Sequence, residues 1–344
     1  MTLRERVGGC MGSAVLTAVL TFAAVPGASA QATTFENQTI DLYVAGSGAL
    51  ELHSRLIAPY LQKHLPGNPD IVVRSMPGAG GMVLANWLYN VAPRDGTAIA
   101  NFLPYFAISQ AVGVPEVQYD AAQFDYLGSL APINSVLATW NETTQARSFE
   151  EIRDEPVKLG ATSRSSITYI GPTFANRFLG TDFQIVMGYQ GTAPIMQAME
   201  SGELNGRVAD YEGIVGPYPH WIEQDLVTIH FHTGLDPDAS LPDVPRLLDL
   251  ATSDREREIL RFLANGSALG RVFVTPPELP DEVVVTLEAA FAAAANDPAY
   301  RAEMAERGMQ VAPKRGAEIE SIVTSTLEAP DHVIESITDI FRPE

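Results

Sequence analysis

From residue 40 onward, short apolar runs alternate with longer stretches of helical spacing. The run 40–44, Ile-Asp-Leu-Tyr-Val, is mostly apolar and reads as a strand. Ala45-Gly46-Ser47-Gly48-Ala49 after it reads as a tight loop. A helix is expected from about Leu50, with Leu52, Leu56, Tyr60 and Leu61 on one stripe and Pro59 kinking or restarting it. Residues 71–74 form the next strand, Pro77-Gly78-Ala79-Gly80-Gly81 a second glycine-rich loop, 82–91 a second helix and 97–102 a third strand. The same order recurs as strand 158–161, polar loop 162–166, helix 167–179, strand 183–187, loop Tyr189-Gln190-Gly191-Thr192, helix 193–201 and strand 206–210. After Pro245 the chain turns helical, broken by a strand at 271–274, with helices at 281–295, 297–307 and 316–340. Repetition of strand, loop and helix is the mark of an α/β fold, here in two similar domains. The late strand and helices are expected to return to the first domain, which makes it discontinuous and gives a hinge geometry.

Length supports that division. Residues 1–30 carry the pattern of a cleavable signal peptide: Arg4 and Arg6, an apolar stretch at 11–25, and Ala28-Ser29-Ala30 before Gln31. The apolar stretch falls short of the roughly 20 residues that span a bilayer. Cys10 precedes it, where a lipidated cysteine would follow it, and is the only cysteine, so the processed chain has neither a thiol nor a disulfide. About 314 residues remain, long for one core. The expected layout is 31–140 with 266–344 as the first domain and 141–265 as the second, in a soluble, exported, periplasmic protein. The chain has 42 acidic and 22 basic residues and a net charge of −20. That charge repels nucleic acid and anionic membranes, whereas a local site can oppose the global field.

The two early glycine loops bear the chemistry. Each follows a strand and precedes a helix, where backbone N–H groups are free and the helix dipole is positive, which suits a carboxylate or phosphate. Two such loops on neighbouring parallel strands face one crevice. The competing reading is two tight turns with no ligand. Gly46-Ser47-Gly48 begins like a dinucleotide fingerprint, but Glu51 stands where its third glycine belongs, and residues 77–81 lack the Lys-Ser/Thr ending of a phosphate-binding loop. Glu51 is either a negative charge that suits the first helical turn or a ligand-binding residue that pairs with a cationic group on the ligand or orders a water. No G-x-S-x-G, H-E-x-x-H or catalytic cysteine is present. His230 and His232 alternate on an expected strand, and no third metal ligand lies near them in sequence. Neither a metal nor a cofactor is expected.

At these residues the chain resembles the periplasmic receptors of tripartite tricarboxylate transporters, often called Bug receptors. The matching segments are Gly46-Ser47-Gly48, Glu51 and Ser54-Arg55, the loop Pro77 to Gly81, Ala92-Pro93-Arg94-Asp95-Gly96-Thr97, Gly188-Tyr189-Gln190-Gly191, Gly202-Glu203-Leu204-Asn205-Gly206 and Leu-Pro-Asp-Val-Pro at 241–245. A Pro, helix, Asp-Pro, helix, Gly layout follows over 276–308. The resemblance implies a type II periplasmic-binding-protein fold, two α/β domains joined by a hinge with a central ligand cleft. It implies that Gly46, Ser47, Gly48, Pro77, Gly78, Ala79, Gly80 and Gly81 hold a ligand carboxylate through backbone N–H groups and water. Glu51 replaces the family's usual Asp, and the family's aromatic-Pro-Gly-Gly first loop reads Val44-Ala45-Gly46-Ser47-Gly48. The second-domain loop holds Ser163, Arg164 and Ser165, and Arg164 is either a bidentate clamp on a carboxylate or a solvated surface arginine. Tyr105, Tyr189 and Tyr211 are candidates for the cleft walls, with Gly191, Thr192 and Asp210 completing the expected ligand-binding set. The implied partners are a small organic carboxylate and the membrane permease subunits, with the receptor a monomer. A sensory module for a membrane signalling protein and a secreted hydrolase are the rival readings.

Overall fold

The structure, a computed structural model, describes residues 33–46, 48–164 and 166–342. The expected signal peptide with Cys10, and the expected site residues Ser47 and Ser165, lie outside the described residues. The chain begins with three strand–helix units: β1 (Thr39–Val44) and α1 (Ala49–His64), β2 (Asp70–Ser75) and α2 (Met82–Asn90), β3 (Ala98–Asn101) and α3 (Phe106–Ala111). β4 (Asp125–Ser129) follows. The next run is β5 (Ser135–Trp140), α4 (Phe149–Arg153), β6 (Lys158–Gly160), α5 (Ile167–Phe178), β7 (Gln184–Val186) and α6 (Thr192–Glu200). It continues with β8 (Gly206–Asp210), two short helices α7 (Glu212–Val215) and α8 (Pro219–Glu223), and β9 (Val227–His232). The last stretch is α9 (Asp254–Leu269), β10 (Val272–Thr275), α10 (Asp281–Ala295), α11 (Pro298–Glu306), β11 (Lys314–Arg315), α12 (Gly316–Leu327) and α13 (Asp331–Phe341).

These strands form two sheets. The first has six strands in the order β11-β4-β10-β3-β1-β2, and the second five in the order β7-β6-β8-β5-β9. β1 pairs parallel with β2 and with β3, so the loops leaving β1 and β2 emerge side by side at one sheet end. β10 enters antiparallel between β3 and β4. The chain therefore crosses between sheets after Ser129 and again after His232. β5 pairs with β8 and β9, so the first crossing precedes Ser135, earlier than the boundary expected after residue 140.

Burial explains the layering. One face of the first sheet packs Ile40, Leu42, Ile99 and Phe273 against Ile57, Leu61, Leu287 and Phe291. On its other face Ala98, Ala100, Val272 and Val274 join a cluster with Leu84, Leu88 and Phe106, and this cluster continues into Leu137, Leu159, Val208 and Phe231 of the second sheet. α9 and α13 carry that continuity through Leu260, Leu263, Ile337 and Phe341, and Phe341 meets Phe174 of α5 edge to face at 6.2 Å. The far face of the second sheet closes over Val136, Ala138, Ile195, Met196 and Trp221.

Three expectations are corrected. α1 does not restart at Pro59, which sits inside it on the exposed face, where water can satisfy the carbonyl of residue 55 that loses its partner. The buried stripe of α1 is Leu50, His53, Ser54, Ile57, Ala58 and Leu61, and Leu52 stands 41% exposed. The helix expected over 316–340 is two helices, because Pro330 cannot continue α12 and instead caps α13.

Candidate functional site

A cavity of about 890 Å³ lies between the two sheets. On the side of the first sheet its wall is made by the starts of α1 and α2. Gly48 caps α1 with φ 73°, ψ −133°, and Gly81 caps α2 with φ 94°; no side chain caps either helix. The Met82 N–H at the α2 start already donates to the Ala79 carbonyl, which leaves the other first-turn N–H groups for an anion at the positive ends of the two helices. Gly48, Ala49, Ala79 and Gly80 form the wall there, with Leu103, Pro104 and Tyr105 beside them. Apolar side chains Leu50, Leu52, Met82, Ile133 and Ile167 occupy much of the remainder.

The opposite wall comes from the second sheet: Ser135, Ser163, Ser166, Thr192, Arg207, Ala209 and Asp210, with Glu212 and Gly213 next to them. Ser166 caps α5 by accepting from the Thr168 N–H at 3.3 Å, and Thr192 opens α6. The Tyr105 hydroxyl is buried, which raises its phenol well above the ordinary value; the Ser267 and Ser135 hydroxyls offset part of this.

Between the walls lies a buried charge network. Arg271, at the entry to β10, donates from Nη2 to Glu212 Oε2 at 2.6 Å and to Asp210 Oδ2 at 3.1 Å, and from Nη1 to the Pro132 carbonyl at 3.0 Å. His53 of α1 places Nε2 2.9 Å from the same Glu212 oxygen, and the backbone N–H of Gln310 donates to Glu212 Oε1 at 2.9 Å. Burial holds the His53 imidazole below its usual value, despite the carboxylate beside it. A neutral His53 donates Nε2–H, since a carboxylate oxygen only accepts. Burial raises Glu212, but the His53 hydrogen bond and the Arg271 charge outweigh it and hold the carboxyl below the ordinary range. Asp210 is raised by burial, which Arg271 only partly offsets.

Seven of the expected site residues meet on this one cavity: Gly48, Ala79, Gly80, Tyr105, Ser163, Thr192 and Asp210. Gly46, Pro77, Gly78, Gly81 and Gly191 belong to the same loops without lining it. Glu51 turns along its own helix, accepting from Arg55 Nε at 2.9 Å and Nη2 at 2.6 Å. Arg164 lies over the Tyr169 ring at 5.5 Å, and Tyr189 donates to Glu203 at 3.0 Å. Tyr211 starts α7 and is half-buried. His230 and His232 bond to different partners. The Ser148 carbonyl accepts from His230 Nδ1 at 3.1 Å, so Nε2 takes the Thr139 hydroxyl proton at 2.7 Å, while His232 Nδ1 accepts from Gly234 N–H at 3.2 Å. Among the described residues no three His, Cys, Asp or Glu side chains gather as a metal site.

Sequence reasoning missed His53, Ser135, Arg207, Glu212 and Arg271. A signal existed for two of them: Arg207 and Arg271 are arginines inside or beside strands expected to be buried, where a charge needs a specific reason.

Residues 54–338 match the model of the tripartite tricarboxylate transporter family receptor. The chain is 27% identical over 338 residues, 95% of each chain, to a protein of the gbd 5′ region of Cupriavidus necator. Among solved structures it resembles MatC from Rhodopseudomonas palustris with bound malate, with a TM-score of 0.63 and 19% identity over 86% of this chain and 98% of that one. It also resembles an R. palustris protein with adipate, at TM-score 0.64 and 16% identity over 87% and 97%. The periplasmic binding protein BugD aligns at TM-score 0.65 and 16% identity over 89% and 99%.

Proposed function

The chain belongs to the family of tripartite tricarboxylate transporter receptors, and from that premise we propose that it is an exported, periplasmic, monomeric receptor that closes two lobes around a small organic carboxylate and hands it to a membrane permease. One observation carries the carboxylate assignment: two helix starts without side-chain caps, at the ends of the neighbouring parallel strands β1 and β2, converge on a single cavity. Backbone N–H groups and two helix dipoles bind an anion there even in a chain whose net charge is −20. The bound malate of MatC and adipate of its R. palustris neighbour support a carboxylate as the ligand.

In this reading the lobes are built on the two sheets, and the segments 130–134 and 233–271 carry the hinge. The first lobe takes one carboxylate at Gly48, Ala49, Ala79 and Gly80, and the neighbouring Gly46, Pro77, Gly78 and Gly81 give the loops their shape. The second lobe adds hydroxyls from Ser163 and Thr192. Tyr105, Glu51, Arg164, Tyr189, Gly191 and Asp210 form the surroundings of this site. Binding stabilises the closed form because only that form contacts both ends of the ligand. The family is one of receptors and not of enzymes, and the ligand leaves chemically unchanged.

Thermal unfolding of the processed protein against a panel of small carboxylates tests this. A ligand at 100 times its Kd adds about 2.7 kcal/mol of stability. A shift confined to one class of carboxylate, with the ligand recovered intact, supports the proposal. Folded protein that responds to no carboxylate, or that converts the one it binds, contradicts it.

A further inference from the structure

Glu212 opens α7 directly after β8, and Ile214 of the same helix packs under the second sheet, so Glu212 belongs to the second lobe. Three donors from the first-lobe side hold its carboxylate. Oε2 lies 2.9 Å from His53 Nε2 and accepts from Arg271 Nη2 at 2.6 Å, and Oε1 accepts from the Gln310 N–H at 2.9 Å. His53 stands on α1, which packs on the first sheet, and Arg271 precedes β10 of that sheet. Gln310 lies between Met309 and Val311, which pack against the same core. The Gln310 side chain reaches the crossing segments as well. Its Nε2 donates to Asp238 Oδ1 at 2.9 Å and to Ser240 Oγ at 3.0 Å, and Asn134 of the other crossing donates to Asp238 Oδ2 at 2.6 Å. Gln310 thus holds the second lobe by its N–H and the hinge by its amide.

These bonds report on lobe orientation. A hydrogen bond is lost beyond about 3.5 Å, so a rotation that lifts Glu212 by about an ångström breaks all three together. Each is assisted by the carboxylate charge, which makes it stronger than a neutral pair. Donors and acceptor all belong to the chain, so the clasp forms whether or not a carboxylate is bound. We propose that Glu212 is a positioning residue for lobe closure: seated on His53, Arg271 and the Gln310 N–H, it clasps the second lobe to the first and keeps a share of the unliganded chain closed. The proposal rests on the receptor reading and adds the residue that sets its open–closed balance. A carboxylate that binds the closed form meets a population already present, and its apparent affinity rises with that share.

The test is X-ray scattering of unliganded wild type, His53→Leu and Glu212→Gln, each refolded from denaturant. His53 is fully buried and is not part of the cavity wall, so its loss removes no contact to a bound carboxylate. Glutamine keeps the shape of Glu212 but has one acceptor oxygen and no charge, while Arg271 retains Asp210 and the Pro132 carbonyl. Both variants are expected to have a larger unliganded radius of gyration than wild type. All three should reach one radius with whichever of malate, adipate or their homologues shifts thermal unfolding most, and the variants should bind it about fivefold or more weakly. Folded variants that keep the wild-type unliganded radius overturn the proposal, since a purely structural role would lower only the unfolding midpoint. Hydrogen exchange of the unliganded wild-type chain needs no variant: the Gln310 amide is expected to be protected, and an unprotected amide overturns the clasp. Neither unliganded measurement needs a carboxylate, so both decide the clasp even in a chain that binds none, a result that sinks the receptor reading instead.

Discussion

At the scale of single residues, the first glycine loop separates two kinds of glycine. Gly48 has φ 73°, ψ −133°, a conformation open essentially to glycine alone, although an added Cβ would meet nothing within 4 Å. At Gly46 φ is not in the left-handed region, and a Cβ would rest at ordinary distance, 3.7 Å, from Leu103 and Leu50. Gly48→Ala is therefore expected to lose about 1–3 kcal/mol through backbone strain alone, and Gly46→Ala well under 1 kcal/mol, as read from urea midpoints. The sequence showed a tight loop but not which glycine was obligatory, because φ is set by how the loop joins its strand and helix. His230 gives a second prediction. Burial brings its pKa down to about 4, and in the unfolded chain it titrates near 6.5. Between those values the unfolded state binds more protons. Stability is full above pH 6.5 and falls as pH drops toward 4, by about 2–3 kcal/mol from this residue by pH 4.5. His53 and His232 are lowered by burial too and act in the same direction. His230→Gln should flatten, without abolishing, the loss of stability between pH 6.5 and 4.5. Spacing alone made His230 and His232 look like a pair, but β9 shifts register opposite Leu137 and Ala138, and His230 falls outside the paired residues.

At the scale of elements, Arg271 ties three of them together: its own strand β10, α1 through Glu212 and His53, and the β8–α7 corner through Asp210 and Glu212. Removing the cation leaves two partly buried carboxylates facing each other. Arg271→Met is expected to cost about 3–5 kcal/mol, and Arg271→Lys less, in thermal or urea unfolding. The strand–loop–helix units were legible because each loop carries its glycines and each helix its own spacing. The strands at 125–129 and 135–140 were not, since neither is flanked by such punctuation. Charge networks escape sequence reading for a different cause: His53, the Asp210–Glu212 corner, Arg271 and Gln310 come from four separate parts of the chain that only the tertiary fold brings together.

At the scale of the whole molecule, two sheets share a cavity, and the chain passes between them at 130–134 and 233–271. In the proposed function such a connection lets the lobes close as units, with the ligand favouring the closed form by its contacts to both walls. X-ray scattering should show a smaller radius of gyration with a saturating carboxylate than without. An unchanged radius in a chain that binds would place the ligand on one lobe only. The family pattern was legible along nearly the whole chain because it resides in loop glycines and prolines, which fix backbone shape. The second wall was less so, because its side chains are brought to the cavity by pairing within a sheet. The most direct test is calorimetric titration of the processed protein, refolded from denaturant to free it of any carried ligand, with the carboxylate that gives the largest thermal shift. The account predicts one saturable site per chain. Folded protein that shows no heat with any carboxylate, or only many weak unsaturable sites, would contradict it.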